Sequence, residues 1–450
     1  MRCQSFFRLA VASCLLFATD AFLYAQFRIA TQTHVRSQDL DASRLDELIA
    51  QNRYLELQRD LSAAELSSSD RTYFEGIVAD RTHNVADAIA LLGKAVLALK
   101  AHRAHRAALA LRALASDYFE AGRYGDSANA YAALLKNYHG QFHVEDLKEF
   151  SDNLHTYEML RGAPAQVVAG ATGFTVATRR DPLGNTDVPV TVGKTEMWWM
   201  FDTGANISTI SLSTATRLGL TLSRGSATTQ SGATGNEVPL HTAIIPELRF
   251  GGALIRNAVV LVMEDKELDI NLGTKGRYLI EGIFGYPLIS ALGSFTIFDD
   301  KMEIAAAGSS STRCAPLYVQ DLTPLVVADS QGKDLIFTFD SGASTGTLTA
   351  KYFQAFPGQF ASLKPNRIRA GGAGGSRFMQ GYTLPSLELH LGTATATLHD
   401  LVVLTQPLGV GVLDSMYGNL GQALVAFFRS YTIDFRRMQL CAGELRDHVQ

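Results

Sequence analysis

The sequence predicts a multidomain α plus all-β chain, with helical repeats first and a two-lobed β region after them, and three observations carry that prediction. From about Leu40 to Leu160 the chain is rich in Ala, Leu, Arg and Glu, poor in Gly and Pro, and places its apolar residues at helical spacing. Past Gly162-Ala163-Pro164 the texture changes to β-branched residues, glycine and alternation, almost to the end. Inside that β portion lies an internal repeat: TEMWWMFDTGA at residues 195–205 is answered by KDLIFTFDSGA at 333–343. A chain of 450 residues is also too long for one ordinary core, and 47% hydrophobic with 19% charged residues is a globular composition.

The first 25 residues have a signal-peptide layout: Arg2 and Arg8 precede an apolar run from Leu9 to Ala25. Asp20 breaks the run, so cleavage after Ala25 and export to the periplasm or beyond are expected, with no stable membrane span. Cys3 and Cys14 fall in this leader, which leaves Cys314 and Cys441 to form one disulfide or to stay as two buried thiols. Their spacing has no Cys-x-x-Cys metal pattern, and neither a metal nor a cofactor is expected.

The helical region is placed at residues 40–162. Tyr73-Phe74-Glu75-Gly76 leads into an Ala- and Leu-rich stretch from Ala86, and Tyr118-Phe119-Glu120-Ala121-Gly122 leads into another from Ala128. The second especially resembles a tetratricopeptide-type helical hairpin, in which small residues let paired helices pack closely. Such a region is read either as a docking surface for a protein partner or as a packing cap for the β region, the cap slightly preferred. The basic cluster His102, Arg103, His105 and Arg106 reads as a solvated helix face, because no interleaved aromatics support nucleic-acid binding. A formal charge of −4 likewise gives no reason to expect nucleic acid or an anionic membrane as the main partner.

The β region divides into lobes at 165–306 and 313–445, joined by the Ser-rich segment from Gly308 to Thr312. A second pair of markers keeps nearly the same separation as the first. Gly282-Ile-Phe-Gly285 and the strand from Ser294 are answered by Gly418-Asn-Leu-Gly421 and the strand from Ser430. In each copy an apolar, buried strand ends in Asp, at Asp202 and Asp340, where ionisation is costly unless compensated. Gly204 and Gly342 permit a tight turn that offers N–H groups to the carboxylate, and Thr203 and Ser341 supply a hydroxyl that can reach the opposite copy. If the lobes face each other, the two carboxylates share one proton: one acts as general base toward a water while the protonated partner polarises a carbonyl.

From about Pro189 to Leu440 the chain resembles the retropepsin-like and pepsin-like aspartic peptidase superfamily. The resemblance rests on Asp202-Thr203-Gly204-Ala205 and Asp340-Ser341-Gly342-Ala343, with Ile283-Phe284-Gly285 and Asn419-Leu420-Gly421 as the elements that support those turns. Asn419 departs from the apolar preference of that element. The resemblance implies Asp202 and Asp340 as the catalytic pair, a peptide or protein substrate, and short helices at Pro287 to Leu292 and Gln422 to Phe428. It also implies glycine-rich flaps at Gly232 and Gly235 and at Gly371, Gly372, Gly374 and Gly375, whose other reading is ordinary hairpin turns. Two flaps without a Tyr resemble a retroviral-type dimer fused into one chain.

Two further readings stand beside it. Gly342-Ala-Ser344-Thr-Gly346 matches the Gly-x-Ser-x-Gly nucleophile elbow of serine hydrolases, although Thr347-Leu348-Thr349 continues in β fashion where an elbow needs a helix. The other is a non-catalytic scaffold that binds peptides or proteins on an inactive peptidase fold.

Overall fold

In the computed structural model of the protein the described residues are 37–231, 234–305, 311–409 and 411–446. The expected signal peptide and Gly232 lie outside them, as does most of the expected linker. Among the described residues no helix is long and apolar enough to cross a membrane.

Helices come first: residues 37–50, then Tyr54–Ala63, Ser68–Arg81, Val85–Leu99, Ala104–Glu120, Tyr124–Asn137 and Val144–Met159. Three-residue turns at 82–84 and 121–123 join two successive pairs, and from Tyr54–Ala63 onward each helix packs on the next. The small residues have the expected use. A Cβ on Gly76 would lie 2.6 Å from Leu92, so the helices at Ser68–Arg81 and Val85–Leu99 approach more closely there than a side chain allows. Ala88, Leu92, Ala95 and Leu99, at helical spacing, form the buried stripe of Val85–Leu99.

One expectation about this region needs correction. His102, Arg103 and His105 are exposed, but Arg106 is buried, because its guanidinium is gripped on one side by Asp46 at 2.6 Å and on the other by Asp70. A guanidinium enters an interior when carboxylates take its donors, and neither partner is close to it in sequence.

The β region reproduces the repeat. Strand Thr195–Phe201 lies between Thr186–Val192, antiparallel, and Gly282–Phe284, parallel, with Thr209–Ser211 next in line. Strand Lys333–Phe339 lies in the same way between Thr323–Ser330 and Gly418–Leu420, with Thr347–Leu348 next. Both central strands are buried where they approach their Asp, from Trp199 to Phe201 and from Leu335 to Phe339, as continuous apolar runs require. The copies meet where Ser294–Ile297 pairs antiparallel with Tyr431–Asp434. Thr296 sits opposite Thr432, its own counterpart in the repeat, with the hydroxyls 2.8 Å apart. An antiparallel pairing of equivalent residues is a local twofold axis, and here it relates the two halves.

A disulfide between Cys314 and Cys441 resolves the alternatives for those thiols, tying strand Cys314–Gln320 to Gln439–Ala442. The helices dock on this β body. Tyr54 donates to Gln320 Oε1 at 2.6 Å, Tyr318 donates to Gln58 Oε1 at 2.9 Å, and Asn52 Nδ2 donates to the Ser415 carbonyl at 3.0 Å. Helix Val144–Met159 lies against strand Ala227–Gln230, where Thr228 donates to Asp152 at 3.0 Å and Lys148 meets Glu237 at 3.0 Å.

Candidate active site

Each Asp leaves its strand through the same set of backbone bonds. Asp202 N–H donates to the Phe284 carbonyl at 3.1 Å, and Asp340 N–H to the Leu420 carbonyl at 2.9 Å. The chain then turns back: Tyr286 N–H donates to the Ala205 carbonyl and Gln422 N–H to the Ala343 carbonyl, both at 2.8 Å. Gly285 and Gly421 sit where the strands cross. A Cβ on Gly285 would lie 2.7 Å from the Ser208 nitrogen, and one on Gly421 2.7 Å from the Asp340 carbonyl oxygen. The short helices expected after them are present at Tyr286–Ala291 and Gln422–Val425, the second ending three residues earlier than expected.

The two turns are tied to each other by a reciprocal exchange. Thr203 Oγ1 donates to the Phe339 carbonyl at 2.7 Å and accepts from Ser341 N–H at 2.9 Å. Ser341 Oγ donates to the Phe201 carbonyl at 2.8 Å and accepts from Thr203 N–H at 3.1 Å. Both side chains are buried, so all four bonds are shielded from water. The sequence-predicted hydroxyls therefore do reach across to the opposite copy.

This exchange sets the carboxyl groups against each other. Gly204 N–H donates to Asp202 Oδ1 at 2.8 Å and Gly342 N–H to Asp340 Oδ1 at 2.9 Å. Each glycine also lies under the opposite carboxyl: a Cβ on Gly204 would come within 2.5–2.8 Å of all three Asp340 carboxyl atoms, and one on Gly342 would collide with Asp202. Only glycine fits either place. Both Asp side chains are half-buried. The Asp202 carboxyl is pushed well above the ordinary carboxylate range, first by burial, then by the negative charge of Asp340 and its hydrogen bond to it. Like charges in contact hold one proton between them, and such a pair titrates as a unit.

Asn419 and Thr338 were not expected at the site. Asn419 Nδ2 donates to Asp340 Oδ2 at 2.9 Å, and Thr338 Oγ1 donates to Asn419 Oδ1 at 2.8 Å. The only sequence signal was that Asn419 stands where an apolar residue is usual.

The glycine hairpins are also placed. Gly371 and Gly372 end the strand Asn366–Gly372, a two-residue turn at Ala373 and Gly374 comes next, and Gly375 begins the return strand. Gly235 closes the turn between Ala227–Gln230 and Glu237–Phe250. The hairpins touch: Asn236 Nδ2 donates to the Gly374 carbonyl at 3.0 Å, and Arg377 Nη1 to the Thr234 carbonyl at 3.5 Å. Ser344, by contrast, is exposed on a bend that runs into strand Thr347–Leu348, so the helix that a nucleophile elbow needs directly after its Ser is missing. Among the described residues no group of three or more His, Cys, Asp or Glu is arranged to hold a metal ion.

Residues 188–288 match the sequence profile of a family described as aspartyl protease, a stretch that includes Asp202 and Gly285. No curated protein sequence matches the chain. Among solved structures, conglutin gamma, described as a unique basic 7S globulin from lupine seeds, is similar at 10% identity and a TM-score of 0.36, over 59% of this chain and 93% of that one. So weak a likeness carries no argument. The β region thus contains an aspartyl-protease-like domain, behind an N-terminal helical region.

Proposed function

We propose that this chain is an aspartic endopeptidase that hydrolyses peptide bonds with a water held between Asp202 and Asp340. The observation that carries this reading is the reciprocal exchange between Thr203 and Ser341, which sets each carboxyl over the other's glycine. In the singly protonated pair, the ionised carboxyl takes a proton from the water as it attacks the peptide carbon. The protonated carboxyl donates to the carbonyl oxygen, and a neutral gem-diol forms. In the collapse one gem-diol hydroxyl returns a proton to the ionised carboxyl while the carboxyl protonated by the water delivers that proton to the leaving amine, which restores the singly protonated pair. Thr203, Gly204, Ala205, Ser341, Gly342 and Ala343 form the turns that hold this geometry.

The hairpins bearing Gly235, Gly371, Gly372, Gly374 and Gly375 act as flaps over the substrate, a role supported by their contact with each other. The helical region acts as a cap that steadies the first of them, supported by the Thr228 to Asp152 bond. Export is supported by the Cys314–Cys441 disulfide, since such bonds persist in oxidising compartments.

The test is a fluorogenic peptide library at graded pH with a statine-type inhibitor that mimics the gem-diol. Cleavage that the inhibitor abolishes is expected. Peptide binding without cleavage at any pH from about 3 to 8, the range in which coupled carboxylates titrate, would instead identify a binding scaffold.

A further inference from the structure

The Asp pair is related by a twofold axis in its backbone, but its immediate surroundings are not symmetric. Beside Asp202 the parallel strands bring Met200 opposite Ile283, and both are buried and apolar. At the equivalent register beside Asp340 they bring Thr338 opposite Asn419. That polar pair is a relay: Thr338 Oγ1 donates to Asn419 Oδ1 at 2.8 Å, which turns the amide so that Nδ2 donates to Asp340 Oδ2 at 2.9 Å. Ile283 has no donor to offer Asp202. Each carboxyl also accepts the N–H of its own turn's glycine, at 2.8 Å for Asp202 and 2.9 Å for Asp340; the two carboxyls are hydrogen-bonded to each other, and Gly342 N–H is a further backbone donor toward Asp202, so the side-chain amide is what Asp340 has and Asp202 lacks.

The geometry points to Asn419 as a positioning residue that breaks the equivalence of the pair, holding Asp340 as the ionised base and leaving the shared proton on Asp202. An amide N–H stabilises a carboxylate oxygen and offers nothing to a protonated one, so the donor lowers the proton affinity of the carboxyl it touches. The groups facing Asp340 leave little else to set the asymmetry. Its own strand brings Thr338 and Phe339, the parallel strand brings Asn419 and Leu420, its turn brings Ser341 and Gly342, and the opposite turn brings Gly204 beneath it. The titratable group across from it is Asp202, whose proton affinity is raised by burial and by that neighbour. In the proposed peptidase, on which this inference rests for its catalytic meaning, the water is therefore activated by Asp340 and the substrate carbonyl is protonated by Asp202.

The test is titration of the full chain labelled with 13C at the Asp side-chain carboxyl, the two signals being assigned by their loss in Asp202→Asn and Asp340→Asn. In Asn419→Ile, which installs the residue of the equivalent position, the first ionisation of the pair, followed on both carboxyl signals, should become tenfold to hundredfold harder. Hydrogen bonds to charged groups are typically of that strength, so that ionisation should move up by about one to two pH units. Thr338→Val keeps the donor but frees the amide, and should give a smaller shift of the same sign; it also serves if Asn419→Ile does not fold. If cleavage is detected, its acid limb should rise with the titration while KM stays nearly constant. An unchanged first ionisation of the pair in both variants reduces Asn419 to packing, and a downward shift means that the amide oxygen faces a protonated carboxyl; either result overturns the assignment. Absence of cleavage in the wild type with the shift intact would sink the peptidase reading and leave the asymmetry standing.

Discussion

Thr203→Val tests how the two halves are held at the Asp pair. Valine keeps the shape and removes the hydroxyl, leaving the Phe339 carbonyl without its 2.7 Å donor and the Ser341 N–H without its 2.9 Å acceptor. Thr203 is fully buried, so water does not replace either bond. An unsatisfied buried group costs about 1–3 kcal/mol, and two of them in one turn give a loss of roughly 2–6 kcal/mol. For a cooperative unit of 150–250 residues that corresponds to a thermal midpoint lower by roughly 4–24 °C. The chain supplies its own probe, because its two tryptophans, Trp198 and Trp199, both lie on the strand that carries Asp202. Urea unfolding monitored by tryptophan fluorescence reads that strand directly. Thr203→Ser should stay near wild type, since it keeps both bonds. Thr203→Val with Ser341→Ala should cost less than the two single losses added, by about 0.5–3 kcal/mol, because both hydroxyls serve one contact. A loss below about 0.5 kcal/mol in Thr203→Val, the size of an ordinary surface substitution, would refute the claim that this exchange holds the halves together.

Three further outcomes are expected. Asp202→Asn should be inactive yet more stable than wild type at neutral pH: a carboxyl whose folded proton affinity is raised withdraws stability as pH climbs from the unfolded value through the folded one, and Asn has no proton to lose. Equilibrium unfolding of both proteins at pH 4 and pH 8 checks this, and equal stability at pH 8 would count against the crowded pair. Glu149 sits 4.0 Å from Arg112, with Asp321 and Asp146 on the same guanidinium, and burial raises it from 4.5 to about 7. Its contribution is absent below pH 4.5 and becomes destabilising up to about 7, so a stability profile of Glu149→Gln should fall less steeply across that window. Reduction of the disulfide, or Cys314→Ser with Cys441→Ser, opens a loop closed over 127 residues and should lower stability by up to about 5 kcal/mol, measurable as a shifted urea midpoint.

The repeat made much of this site legible in the sequence. Two matched strands, two glycine turns and two later glycines at a nearly constant offset specify paired elements, and those are local patterns that a sequence records directly. What it could not record were contacts between distant segments. Arg106 looks like a solvated charge until Asp46 and Asp70 are brought to it. Cys314 and Cys441 gave no geometry until their strands paired. Asn419 was visible as a departure from pattern, but its meaning needed Thr338 and Asp340 beside it, 81 and 79 residues away in the chain. The docking of helix Val144–Met159 on strand Ala227–Gln230 left no motif at all, because side-chain bonds such as Thr228 to Asp152 arise from packing and from no short pattern.

The central claim is one site built by both halves of a single chain, and complementation tests it most directly. Asp202→Asn and Asp340→Asn are purified separately and assayed alone and as an equimolar mixture on the best peptide from the library. Each variant should lose at least about a thousandfold in kcat/KM, as expected when one member of a proton-sharing pair is neutralised, and the mixture should stay as inactive as its parts. Activity in either single variant would contradict the paired mechanism, and activity restored by mixing would show that the carboxyls meet between two chains.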